Sequence, residues 1–128
     1  MKVIRNDEVA KQDATDAPLF FGGKVFRQPL VSDGASKYFS FNMVGFAAGA
    51  RNKFHTHTSD QILYVTKGTG IVATESEEAT VNEGDTILIP AGEPHVTRNT
   101  GSEPLMLLCF FPVSEIAGRT HQPAKSLA

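Results

Sequence analysis

Turn-forming residues punctuate this chain too closely for long helices to form. Clusters recur at Ser32-Asp33-Gly34, Gly49, Thr58-Ser59-Asp60, Gly68-Thr69-Gly70, Asn82-Glu83-Gly84-Asp85, Ala91-Gly92 and Thr100-Gly101-Ser102. Glycine admits positive φ, and Asn, Asp and Ser side chains bond to nearby backbone, so each cluster reads as a turn. The intervals between them are short and rich in β-branched and aromatic residues. They are Lys24 to Val31, Tyr38 to Phe46, Lys53 to His57, Gln61 to Lys67, Ile71 to Thr74, Ala79 to Val81, Thr86 to Pro90, His95 to Asn99 and Pro104 to Phe111. About eight to ten short strands at this spacing predict an all-β sandwich or barrel. Pro29 has no ladder donor, so its strand belongs at an edge or carries a bulge. Ala47 to Arg51 reads as a bend.

A chain of 128 residues fits one domain, and 41% hydrophobic content can fill one core. Residues 1–18 are polar and read as an N-terminal arm, mobile or loosely docked; 19–113 form the barrel. Residues 114–128 form a C-terminal tail with a short helix near Ser114 to Gly118. The net charge of -2 comes with no basic patch, which argues against nucleic acid as a partner. No apolar run approaches the roughly 20 residues of a membrane span. The opening residues lack the apolar core of a signal peptide, and the single Cys109 excludes an intrachain disulfide. Together these predict a cytoplasmic protein.

The chemistry-bearing residues are histidines. His55 and His57 stand two apart, and side chains at i and i+2 of a strand share a face. Gln61 follows after Thr58-Ser59-Asp60; a hairpin there would set it beside the histidines on the adjacent strand. His95 joins them only through a long-range contact that local pattern does not supply. Three converging imidazoles and an amide oxygen would make a metal site. Imidazole suits zinc, copper, iron and nickel, and an oxygen ligand widens the choice to manganese. A hydrogen-bonding pair on a wet strand face is the competing reading of His55 and His57. His121, in the tail, reads as a structural or surface residue.

At this point the chain resembles a small single-domain cupin. The first motif of that family reads G-x5-H-x-H-x3-4-E-x6-G, matched here by Gly49, His55, His57, Gln61 and Gly68, with Gln replacing Glu. The second reads G-x5-P-x-G-x2-H-x3-N, matched by Gly84, Pro90, Gly92, His95 and Asn99. Gly49 to Asn99 covers about two-fifths of the chain. The resemblance implies a double-stranded β-helix, a jelly-roll barrel with its site inside one mouth. It implies one divalent transition metal (manganese, iron, nickel or zinc) on His55, His57, Gln61 and His95. It also implies a homodimer and a small-molecule ligand, with the dioxygenases, decarboxylases, isomerases and lyases among similar proteins as possible enzyme types. The alternatives are a non-catalytic protein that holds a small anionic metabolite through its metal, and a metal that only stabilises the barrel.

Gln61 is the informative departure. An amide brings a dipole where a carboxylate brings charge. With three neutral imidazoles and Gln61, a divalent ion keeps its full charge and favours anionic ligands. By parity, Leu63 and Val65 share the interior with Gln61, Thr97 and Asn99 follow His95, and Tyr64 and Thr66 face away. Phe39, Phe41 and Met43 share a face and are expected to form an apolar wall of the pocket. Asn99 is expected to fix a turn and Cys109 to be a buried, inert thiol. Asp60, Glu93 and Arg98 flank the histidines as loop groups. Leu19-Phe20-Phe21 and Lys24 to Val31 are expected to cover an edge in a partner subunit.

Overall fold

A computed structural model of the chain describes residues 1–32 and 34–112, with the backbone of Gln122–Pro123. The helix expected near Ser114 to Gly118, and His121, lie outside the described residues. Among the described residues, one 3-10 turn at Asn6–Glu8 precedes thirteen strands. In chain order these are β1 (Gln12–Asp13), β2 (Phe20–Phe21), β3 (Val25–Val31), β4 (Phe39–Phe46), β5 (Arg51–Asn52), β6 (His55–Thr56), β7 (Gln61–Lys67), β8 (Thr69–Thr74), β9 (Glu78–Asn82), β10 (Thr86–Ile89), β11 (His95–Asn99), β12 (Leu105–Pro112) and β13 (Gln122–Pro123). All pairings are antiparallel. Among the described residues, no helix is long and apolar enough to cross a membrane.

The strands form two sheets, the jelly-roll arrangement. One has the order β1-β3-β4-β12-β7-β10. In the other, β11 is central, flanked by β8 and β9 on one side and by β5 and β6 on the other, with β2 and β13 outermost. β12 shows why these residues fold this way. Leu105, Leu107, Cys109 and Phe111 are buried, whereas Met106, Leu108 and Phe110 between them are only half-buried. Period-two alternation turns the first set toward the opposite sheet. The core joins this set to Val25, Val44, Phe46, Leu63 and Val65 from the same sheet and to Phe20, Ala50, Val72 and Val81 from the facing side. Phe20 meets Phe46 edge to face at 5.9 Å. Full burial of one such side chain contributes about 1.5–3 kcal/mol.

Three expectations are revised here. First, the inner face of β4 is Asn42, Val44 and Phe46, not Phe39, Phe41 and Met43. Phe39 is 48% exposed and stacks with Phe41 against Phe110 on the outside of the sheet. Both faces of β4 carry an apolar stripe, so alternation alone does not rank them. Second, Thr58 to Asp60 does not close a hairpin. β6 pairs with β11 and β13, and β7 pairs with β10 and β12, so the connection crosses from one sheet to the other. Third, Phe20 is packed in its own core, and β2 pairs with β5 of the same chain, so Phe20 is not free to cover a partner's edge. Arg51, expected as the end of a bend, instead opens the short strand Arg51–Asn52, which finds both β2 and β11.

Other expectations hold. The register of β3 against β4 shifts between Pro29 and Val31, which is the bulge a proline calls for. Gly68 turns the chain at φ +89°, and a Cβ there would meet the Pro104 carbonyl oxygen at 2.4 Å. Both conditions require glycine. Asn99 is buried and donates Nδ2 to the carbonyls of Phe46 at 2.9 Å and Glu103 at 2.8 Å. Its Oδ1 accepts from the Gly101 N–H at 2.9 Å. One side chain thus fixes the turn before β12 and ties β11 to the end of β4.

Candidate metal centre

His55 and His95 are direct cross-strand partners where β6 meets β11. His57 follows two residues after His55, and all three imidazoles are buried. Ring centroids lie 4.9 Å apart for His55 and His57, 4.3 Å for His55 and His95, and 5.0 Å for His57 and His95. One ring nitrogen from each falls within 4.8 Å of the other two. Parity thus brings His55 and His57 together, and the β6–β11 ladder supplies His95.

Two rings are oriented by the same device. His55 Nδ1 donates to the carbonyl of Lys53 at 2.6 Å, and His95 Nδ1 donates to that of Glu93 at 2.9 Å. A carbonyl can only accept, so the proton sits on Nδ1 and the lone pair on Nε2. Burial pushes the His95 imidazole below its ordinary pKa, against the opposing pull of the Glu93 carbonyl and carboxylate. A neutral imidazole with its far nitrogen oriented by a carbonyl is the ligating form. The donor set therefore fits a transition-metal ion.

The histidines line a cavity of about 200 Å³, partly open to solvent. Gln61, Leu63, Leu107, Cys109 and Phe111 from one sheet also line it, as do Asn52 and Thr97 from the other. Gln61 is buried at the start of β7, so it faces the histidines across the barrel rather than beside them. Phe111 meets His57 edge to face at 5.3 Å. The sequence-expected pair Leu63 and Thr97 is in place, and Tyr64 is 42% exposed on the outside. Val65 is buried in the core and does not line the cavity.

The flanking groups have structural tasks. Asp60 accepts from the Ala91 N–H at 2.9 Å, and the Gly92 N–H donates to the His57 carbonyl at 2.9 Å. The loops after β6 and before β11 are thereby locked together. Arg98 pairs with Glu78 at 2.6 Å on the exposed flank. Cys109 is buried, and burial pushes its thiol up to about 12 despite the nearby Arg27 cation.

Arg27, Asn42 and Asn52 also line the cavity and escaped sequence reasoning. The signal for Arg27 was present, since it shares parity with buried Val25. Pro29, two residues further on, obscured the register. Asn42 was assigned away from the pocket with the wrong face of β4. Asn52 fell between the expected bend and the next expected strand; its Oδ1 accepts from the Thr97 N–H at 2.7 Å.

Comparison with known proteins agrees with this architecture. The cupin domain family model matches residues 42–111, more than half of the chain, and the chain belongs to that family. An uncharacterized protein of Methanocaldococcus jannaschii is 40% identical over 62 residues, which are 48% of this chain and 50% of that protein. The chain thus spans half the length of that curated relative. Among solved structures, a predicted oxalate decarboxylase from Thermotoga maritima superposes with a TM-score of 0.79 at 23% identity, over 88% of this chain and 100% of that one. The polyketide cyclase RemF of Streptomyces resistomycificus gives 0.80 at 18% identity, over 98% and 88% respectively. Identities this low establish the shared fold.

Proposed function

We propose that this cupin is a metal-dependent enzyme acting on a small, oxygen-bearing organic molecule. His55, His57 and His95 hold one divalent transition metal (manganese, iron, nickel or zinc), with Gln61 as a fourth ligand. The observation that carries this reading is where the three imidazoles converge. They meet on a cavity rather than inside a closed core, and an accessible position distinguishes catalytic from structural sites. When bound, such a metal supplies Lewis-acid stabilisation of negative charge that develops on a substrate oxygen. The remainder is the work of this chain's own residues. The Lys53 and Glu93 carbonyls hold the His55 and His95 rings in place. Leu63, Leu107 and Phe111 exclude water and orient the apolar part of the substrate. Gln61 adds no charge, so the site stays electropositive.

A second reading is non-catalytic retention of a small anionic metabolite. It is favoured by the cavity lining, in which no described residue is an aspartate or glutamate that could serve as a general base. Elemental analysis of untagged protein, with mass spectrometry of co-purified molecules, tests both. One equivalent of metal is expected in wild type and a small fraction of that in His95→Ala. Gln61→Glu is expected to retain metal with lower affinity for anions. Full metal content in both His95→Ala and His57→Ala would overturn the site assignment.

A second copy of this chain is the partner we propose for the outer face of the six-stranded sheet. Leu88, Ile62, Phe110 and Phe41 stand in one cross-strand row over β10, β7, β12 and β4. Leu88 is 64% and Ile62 40% exposed. Such a row supports burial in a homodimer.

A further inference from the structure

Arg27 is the single charged side chain among the described residues that line the cavity. It projects from β3, directly opposite Val44 of β4. Among the described residues it has no carboxylate partner; Glu78, the acid of the described ion pair, belongs to Arg98 on the exposed flank. Its charge nonetheless reaches across β4 to β12. There it favours the thiolate of Cys109, against the larger opposing effect of burial. A half-buried guanidinium on a cavity wall that holds no carboxylate among the described residues is stabilised by an anion. Its planar fork of N–H donors matches a carboxylate in two parallel hydrogen bonds. Asn42, on the inner face of the neighbouring strand, adds amide donors to the same wall.

We propose that Arg27 anchors a carboxylate group of the molecule whose other end reaches the His55–His57–His95 cluster. This rests on the reading of the cavity as a small-molecule site. It narrows the ligand to a short organic acid with a second oxygen function. The volume sets the size. The cavity of about 200 Å³ lies below the roughly 300–1,000 Å³ of pockets for larger ligands. A short dicarboxylate or oxo-carboxylate fits that limit.

Calorimetric titration of metal-loaded protein with malonate, succinate and glutarate tests the assignment, with their neutral diamides as controls. At least one dicarboxylate is expected to bind wild type and to bind Arg27→Gln roughly 10- to 100-fold more weakly, the loss expected for charge-assisted bonds. Diamides are expected to bind both proteins alike, and Arg27→Lys is expected to fall between them. Metal content and circular dichroism of the variants report whether the barrel is intact. Should Arg27→Gln not fold, the comparison of wild type with Arg27→Lys carries the test, because a lysine cannot reproduce the bidentate geometry. Equal dicarboxylate affinity in wild type and the variants, or none in wild type, overturns the role of Arg27. Repeating the titration on metal-free protein separates this from the metal reading. Arg27-dependent binding that persists undiminished without metal supports the anchor while removing the histidine cluster from recognition.

Discussion

Replacing Asn99 with alanine removes three hydrogen bonds from a buried position: two donated by Nδ2 to Phe46 and Glu103, and one accepted by Oδ1 from Gly101. Each is worth about 0.5–1.5 kcal/mol net, so the sum is about 2–4 kcal/mol. For a chain of this length, 1 kcal/mol moves Tm by roughly 3–5 °C, so Asn99→Ala is expected to melt about 10 °C lower. Urea titration is expected to show the same loss with an unchanged slope. Asn99→Asp sharpens the test. It keeps an acceptor for Gly101 but aims a carboxylate oxygen at two carbonyls. Its folded pKa is therefore raised above the unfolded value of about 3.9. The stability this carboxyl permits is present below that unfolded value and is lost as pH rises through the raised folded one. The deficit of Asn99→Asp relative to wild type should accordingly narrow toward pH 4 and widen toward neutrality. A Tm for Asn99→Ala within a degree or two of wild type would falsify the claim that this side chain ties β11 to β4.

Two further outcomes are expected. Burial raises the Cys109 thiol to about 12, so it should resist disulfide exchange reagents in the native protein at pH 8 and react once urea unfolds the barrel. By linkage, stability that Cys109 contributes is complete below its unfolded pKa and falls between about pH 9 and 12; a Cys109→Ala variant that loses stability equally steeply there would assign the fall to other groups. For the outer face, sedimentation should give a dimer for wild type and a monomer for Ile62→Lys combined with Leu88→Lys. A monomeric wild type removes that interface.

Legibility in the sequence followed the range of the interactions. Within one strand, alternation was sufficient. Gln61, Leu63 and Val65 turn inward and Tyr64 outward, as their spacing requires. Turn chemistry placed Gly68 and Asn99 correctly because their tasks are set by nearby backbone. The three histidines were legible through two motifs, although only the β6–β11 ladder shows why His95 meets His55. The failures arose where two patterns competed. β4 is apolar on both faces, since its outer aromatics pack on Phe110, and the sequence carries no measure of which stripe meets the opposite sheet. The step from His57 to Gln61 looked like a hairpin because three residues suffice for either a hairpin or a crossing between sheets. Arg27 was hidden for a related reason. An arginine within a strand is ordinarily solvated, so its shared parity with Val25 decides little without the register of β3 on β4.

Gln28, next to Arg27, points the other way, and its Nε2 donates to the carbonyls of Asn6 and Val9, both at 2.9 Å. β3 is nearly an edge strand, since only the two residues of β1 lie beyond it. A slip of one residue along β4 would exchange Arg27 for Gln28 and remove the positive charge from the cavity wall. The Asn6 and Val9 carbonyls thus tie the first residues of the chain to Gln28 on the side of β3 turned away from the cavity. Removing those first residues is expected to leave the longer strands in place while loosening the register that sets Arg27, rather than Gln28, on the cavity wall.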